Sequence, residues 1–225
     1  MQDLLPYIAL ILAGLQYNLV IAVSAFLAGM AVAVASLAIS LSSPPAAKLV
    51  AAVSHAVRGV PPLVLLAATY WLIFPALGLP SDALLACITA FTLRTSAFQL
   101  QILRASAAAV EKGQLEAALS LGLGEREAVF YVVLPQSLRA ALPALFNELY
   151  SLLKESTLGL ALGILDALAR ARLVSIAAGY SLVWILAAGL LVYAVSWAVL
   201  RFSRLLHRRL AVPGSLGAGV VELWR

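Results

Sequence analysis

One arginine, Arg94, stands about halfway along an apolar stretch that runs from Ala83 to Ser106. A guanidinium can bind a carboxylate through two parallel hydrogen bonds, so Arg94 could hold an anionic group of a small solute. Glu148 and Glu155 lie in a later apolar stretch, where a carboxylate could bind a cation. The alternative is that Arg94 and a glutamate only neutralise each other at a helix contact. The sequence leaves both interpretations open.

Neutral polar residues accompany these charges at helical spacing. Residues three or four positions apart share one face of a helix, and Ser96 and Gln99 have this spacing in the first stretch. Glu148, Ser151 and Glu155 have it in the second. The two stripes could line one cavity, whose candidate binding residues are Arg94, Ser96, Gln99, Glu148, Ser151 and Glu155.

The other reactive residue types predict no bond chemistry. Cys87, the only cysteine, lies in an apolar stretch and is expected to be a small filler, while His55 and His207 are expected near helix ends. The chain has no Gly-x-x-x-x-Gly-Lys-Ser/Thr segment that could hold the phosphates of ATP. We therefore expect no catalytic residue, no metal and no cofactor bound by this chain.

The elements that position these residues follow from composition. Hydrophobic residues make up 64% of the 225 residues and charged residues only 11%, whereas about a quarter of a soluble domain is charged. No charge occurs from Leu4 to Ala47, from Gly59 to Ser81, or from Leu173 to Leu200. About 20 apolar residues cross a bilayer as a helix. The chain is therefore predicted to be an integral membrane protein.

We predict an all-α membrane fold with five spans, near Tyr17–Leu41, Leu49–Phe74, Ala83–Ser106, Ser137–Ile164 and Ser181–Phe202. Residues 1–16 are predicted to form an interfacial lead-in, and residues 207–225 a cytoplasmic tail. Arginines follow the last span directly, which places the C-terminus inside and, after five crossings, the N-terminus outside. Because these helix-end arginines account for the net charge of +5, no nucleic-acid partner is expected.

The connection from residue 111 to 134 carries charges yet keeps a helical pattern. Glu116-Ala117-Ala118 predicts a helix of small residues that can sit closely against another protein. Gly122 is placed to end it, because glycine readily adopts the left-handed C-cap conformation. Glu125-Arg126-Glu127 begins a second helix, which Pro135 is expected to end before the next span. The segment is predicted to be a helical hook that docks another protein.

This segment resembles the EAA loop of ATP-binding-cassette importer permeases, whose pattern is Glu-Ala-Ala, three residues, Gly, and then Leu-Pro. The resemblance implies a type I importer transmembrane domain whose ATPase-coupling residues are Glu116, Ala117, Ala118 and Gly122. It also implies a pair of separate ATPase subunits that bind ATP and Mg²⁺, a second permease subunit, identical or not, and a solute-binding protein. The setting would be the cytoplasmic membrane of a prokaryote, in contact with lipid.

A wider resemblance indicates the cargo. Arg58-Gly59-Val60-Pro61 resembles the Arg-Gly-Thr-Pro of polar amino-acid permeases related to histidine and glutamine importers, and Leu152 to Thr157 resembles their Leu-Leu-Lys-Asp-Thr-Ser. This implies a polar amino acid as cargo. From its chemistry, Arg94 would then bind the carboxylate, and Glu148 or Glu155 could bind the ammonium or a basic side chain. Four departures from the family pattern leave the particular amino acid open, at Val60, Arg94, Gln101 and Glu111.

Three other functions compete with that of an amino-acid importer. The chain could be a permease for another small solute, or a secondary transporter or channel that needs no ATPase. The intramembrane charges support the latter, but the inverted repeats that would favour it are not evident. A purely structural membrane subunit would leave the hook unexplained. The importer permease is therefore the predicted function.

Overall fold

The computed structural model describes residues 5–178 and 181–210, and all regular structure in this part of the chain is helical. The α-helices are α1 Leu5–Ser42, α2 Pro44–Gly59, α3 Pro62–Ala68, α4 Phe74–Ala76, α5 Ala83–Ala108, α6 Lys112–Ser120, α7 Glu125–Ala128, α8 Leu134–Glu155, α9 Ala167–Ala177 and α10 Leu182–Leu210. Two π-helical turns, Thr69–Ile73 and Val129–Val133, and a 3₁₀ helix, Ser156–Leu162, join some of them.

Four stretches of the described chain are long and apolar enough to span a membrane: Leu5–Ser40, Ala83–Ala108, Val129–Leu162 and Leu182–Leu206. The count is five when the pair Pro44–Gly59 and Pro62–Ala76, which meet at a bend of 104°, is taken as one broken span. The bend follows from Pro61 and Pro62, because a residue before proline is driven out of the helical conformation, and both Val60 and Pro61 are extended. The predicted five-span, all-α fold is confirmed.

The ends of the chain differ from their predicted bounds. Helix α1 begins at Leu5 rather than at Tyr17, so residues 5–16 continue the first span and form no separate lead-in. After Pro6, which a first helical turn tolerates, no helix-breaking proline occurs before Pro44. Helix α10 continues to Leu210, so the predicted tail, 207–225, starts inside a helix. Its remaining residues, 211–225, and residues 1–4 lie outside the described residues.

The prediction that Pro135 ends the hook's second helix is wrong. Helix α7, the turn Val129–Val133 and α8 follow one another without a break. Pro135 comes two residues after this π-helical turn, as Pro75 does after the turn Thr69–Ile73. A proline ring collides with the carbonyl four residues earlier, and a wider π-helical turn can move that carbonyl away. The helix therefore accommodates each proline.

Helix α5 lies at the centre of the packing, between α1 and α8. Its residues Cys87, Ala90 and Phe91 are buried in one apolar cluster with Ile21 of α1 and Leu152 of α8. The expectation that Cys87 is a buried filler agrees with this position. Gly29 allows α1 to approach α5 closely, because a Cβ there would lie 2.4 Å from the Thr95 methyl group.

A helix that the sequence analysis did not predict, α9, occupies most of the connection between the last two spans. Asp166 caps it by accepting a hydrogen bond of 2.8 Å from the Ala169 amide. Asn18 of α1 donates to Ser156 at 3.0 Å and accepts from the Ala167 amide at 3.1 Å. Buried hydrogen bonds from the first span therefore fix the start of α9.

Candidate functional site

Arg94 of α5 contacts two glutamates of α8. Its Nη1 lies 3.3 Å from Glu148 Oε1, and its Nη2 lies 2.8 Å from Glu155 Oε1. The three side chains are 12%, 8% and 23% exposed, so the cluster is largely buried. The glutamates are seven residues apart, about two helical turns, which puts both on the α8 face that meets α5. The ion-pair interpretation of Arg94 thus describes the arrangement in this structure.

The cluster contains two carboxylates for one guanidinium, which leaves an excess of negative charge when all three groups are ionised. Glu155 Oε2 is buried and has no hydrogen-bond partner among the described residues. The neighbouring Lys154 does not supply one, because its ammonium lies over the Tyr150 ring, 3.9 Å from the centroid. The cluster is therefore better suited to receive a cation than an anion.

Two of the predicted binding residues lie away from the glutamates. Gln99 is fully buried, and its Nε2 donates to the Phe26 carbonyl of α1 at 3.1 Å. Ser96 donates to the Leu93 carbonyl of its own helix at 2.8 Å. Both belong to the α1–α5 contact, where a Cβ on Gly29 would lie 3.0 Å from Gln99 Oε1. Ser151 is half-buried on α8. A substrate role for these residues stays a prediction.

The Phe98 ring packs against the Arg94 cluster, a contact that the sequence analysis did not predict. The Arg94 guanidinium carbon lies 4.6 Å from the Phe98 ring centroid, and that of Arg58, on α2, lies 5.9 Å from the same centroid. The i, i+4 spacing of Arg94 and Phe98 on one helix was the available signal for the first contact. The contact with Arg58 depends on how α2 packs, which spacing alone does not reveal.

The predicted hook forms between α6 and α7. Gly122 has φ of +87°, a left-handed conformation that glycine adopts without a Cβ clash. The Leu123 amide donates to the Ala118 carbonyl, and the Gly122 amide to the Leu119 carbonyl, the hydrogen-bond pair of a Schellman C-cap. The predicted helix end at Gly122 is thus present. Its role in coupling stays a prediction.

The hook presents an exposed surface that includes apolar side chains. Glu116 and Ala117 are exposed, whereas Ala118 faces inward with 3% exposure. Leu121, Phe130 and Tyr131 are 85%, 62% and 67% exposed. On the far side of the turn, Glu127 accepts a hydrogen bond from the Gly124 amide at 3.0 Å and so caps α7. The hook therefore carries both apolar and acidic groups at its surface.

The fold is a bundle of apolar spans that encloses an ion-paired polar cluster and carries the hook. This arrangement is that of a membrane-integral permease subunit. The family model described as "Binding-protein-dependent transport system inner membrane component" matches residues 25–212, and the chain belongs to this family. The predicted recognition of an ATP-binding-cassette importer permease is confirmed.

Curated relatives extend the match to most of the chain. The probable glutamine ABC transporter permease protein GlnP of Bacillus subtilis is 30% identical over 74% of this chain and 77% of its own length. The arginine transport system permease protein ArtQ of the same organism is 29% identical over 92% and 94% of the two chains. The L-cystine permease TcyB of that organism is 34% identical over 64% and 62%. The sequence resemblance to amino-acid permeases is therefore confirmed.

Solved structures agree with the fold. A chain from a crystal structure of an amino acid ABC transporter with histidines superposes with a TM-score of 0.85 at 27% identity, over 92% of this chain and 97% of its own. A chain from an inward-facing methionine transporter, MetNI, gives a TM-score of 0.79 at 18% identity, over 94% and 100% of the two chains. The second shows the fold alone.

Proposed function

We propose that this chain imports a polar amino acid across the cytoplasmic membrane of a prokaryote by alternating access, driven by a separate pair of ATPase subunits. A second permease subunit, identical or not, completes the membrane channel, and a solute-binding protein delivers the cargo outside. The N-terminus lies outside and the C-terminus and hook lie inside.

The hook carries this proposal. At its turn, outside the apolar spans, Leu121 is 85% exposed, and exposed apolar surface is typical of docking sites. The rigid Schellman turn at Gly122 joins α6 to α7, which continues into the span that carries Glu148 and Glu155. A displacement of the hook by an ATPase would therefore be transmitted to α8 and the ion-paired cluster.

The cluster supports an amino acid as cargo. An excess carboxylate, with Glu155 Oε2 buried and unpaired among the described residues, suits an ammonium group or a basic side chain. Relatives named as permeases for glutamine, arginine and cystine agree with a cargo of this class.

The test is to replace Gly122 by valine in the complete transporter and to measure ATP hydrolysis and amino-acid uptake in proteoliposomes. A β-branched residue at φ of +87° costs about 1–2 kcal/mol of backbone strain. A Cβ there meets no other atom within 4 Å, so the strain acts on the turn alone. We expect fewer amino acids to be imported per ATP hydrolysed.

Gly163→Val is the matched control. Gly163 has φ of +84°, open space around a Cβ and the same pair of C-cap hydrogen bonds, but it lies outside the hook. It should lower stability to a similar extent and leave the uptake per ATP unchanged. If Gly122→Val imports as many amino acids per ATP as the wild type, the hook does not couple ATP hydrolysis to transport. If no ATPase subunit co-purifies with the wild-type chain, the proposed function itself is wrong.

A further inference from the structure

A second polar site lies between α2 and α5, and its Arg58 contacts the same Phe98 ring as Arg94 does. It is a pocket of about 120 Å³ lined by Ala51, Ser54, His55, Arg58, Ala97, Leu100, Gln101 and Arg104. On each helix these residues have the spacing of a single face. The lining brings two guanidiniums to one cavity and contains no acidic residue.

Among residues 5–178 and 181–210, no carboxylate forms an ion pair with the arginines of this pocket. Within the described residues, the ion pairs are those of Arg94 with Glu148 and Glu155. Arg58 Nη2 instead meets His55 Nδ1 at 2.9 Å, and Arg58 Nε is buried with no hydrogen-bond partner in the part of the chain that the structure describes. A buried, unpaired guanidinium donor costs free energy. An anion that accepts from Arg58 and Arg104 would remove this cost.

Phe98 connects this pocket to the Arg94 cluster. Its ring centroid lies within 6 Å of the guanidinium carbons of both Arg94 and Arg58. The first cluster has an excess of negative charge and the pocket has an excess of positive charge. A zwitterion that leaves the glutamates therefore meets, next along α5, groups that bind its carboxylate.

We propose that the Arg58–Arg104 pocket is a carboxylate-binding exit site for the cargo, occupied after the amino acid leaves the Arg94 cluster. The proposal rests on the proposed function, because it takes the cargo to be an amino acid. The pocket lies nearer the end of α5 that leads to the hook, since Arg104 follows Arg94 in the direction of α6. In the proposed topology this end is cytoplasmic.

Direct binding can be tested with phenylglyoxal, which modifies accessible arginines, on the purified permease–ATPase complex in phosphatidylcholine nanodiscs. Glycine provides a carboxylate probe, and glycinamide lacks the carboxylate. We expect glycine to slow the modification of Arg58 and Arg104, measured by peptide mass spectrometry, while glycinamide does not. Arg139, which is exposed and does not line the pocket, is the internal control. Equal modification rates with both probes would overturn the proposal.

A lipid phosphate is the other source of an anion. If nanodiscs containing phosphatidylglycerol protect Arg58 and Arg104 without glycine, and glycine adds nothing in either lipid, the pocket is a lipid site and the proposal is wrong.

Transport kinetics provide a second test, with radiolabelled glutamine, arginine and cystine supplied separately to proteoliposomes. Loss of a hydrogen-bonded charge on the exit path should lower the maximal uptake rate of Arg58→Gln and Arg104→Gln about tenfold, with little change in KM. Arg139→Gln should behave as the wild type. Wild-type kinetics in both pocket variants would refute the exit site and leave the proposed function standing. A wild-type complex that transports no polar amino acid, when the set is extended beyond these three, contradicts the cargo class and the exit site together. The glycine result is independent of transport.

Discussion

At the scale of single residues, Arg94 shows why charge type and geometry both matter inside a bilayer. Its two Nη atoms reach two different carboxylates, Glu148 and Glu155. A lysine ammonium would preserve the charge but not the planar fork that spans both acids. The sequence predicted that Arg94 needs a partner, since a central intramembrane charge is costly. It could not choose between one glutamate and two, because that depends on the rotation of α8 against α5.

Replacing Arg94 by glutamine should destabilise the permease. The change leaves two buried carboxylates without their cation, and breaking a buried ion pair in this way costs about 3–5 kcal/mol. We expect a lower melting temperature for the detergent-purified complex, partly restored when Glu155→Gln removes one carboxylate on the same background. Arg139→Gln, which changes an exposed arginine, should melt as the wild type does. An unchanged melting temperature for Arg94→Gln would show that the ion pairs contribute little.

At the scale of elements, the sequence predicts the helices that follow from local patterns. It does not predict α9, whose position depends on a contact with α1. The five spans follow from apolar runs, and the bend after Gly59 follows from consecutive prolines. Helix α9 was missed although Asp166 is a standard N-cap residue. Its position depends on Asn18, nearly 150 residues earlier in the chain, and no local pattern reveals such a contact.

The contact between α1 and the start of α9 should be sensitive to one added methyl group. A Cβ on Gly14 would lie 2.6 Å from the backbone of Asp166 and Ala167, and backbone atoms cannot turn away as a side chain can. Gly14→Ala should therefore cost about 1–3 kcal/mol of stability. Gly189→Ala, in α10, is the control, because a Cβ there meets nothing within 4 Å and alanine favours helices. Thermal unfolding in detergent measures both, and equal effects would contradict the tight contact.

At the scale of the whole molecule, the fold places two polar sites and the hook on elements that follow one another or pack together. Helix α5 carries Arg94, Phe98 and Arg104 in order toward α6, and α7 leads from the hook back to α8 and its glutamates. The sequence predicted the hook and the Arg94 cluster because each is marked by charge in an apolar or helical background. The Arg58–Arg104 pocket was not predicted, since it exists only where the bent second span packs against the third.

The proposed topology predicts which side of the membrane each connection between spans faces. With five crossings and the arginines of α10 inside, Lys48 and Lys112 face the cytoplasm and Ser81 faces outside. All three side chains are exposed, and Ser81 is preferred to Asp82 because Asp82 caps α5 through the Leu85 amide at 2.7 Å. Single cysteines at these positions, on a Cys87→Ala background, can be treated with an impermeant maleimide in spheroplasts. Position 81 should react in intact spheroplasts, and positions 48 and 112 only after permeabilisation. The reverse pattern would invert the topology and put the hook on the side of the membrane where no ATP-hydrolysing partner could reach it.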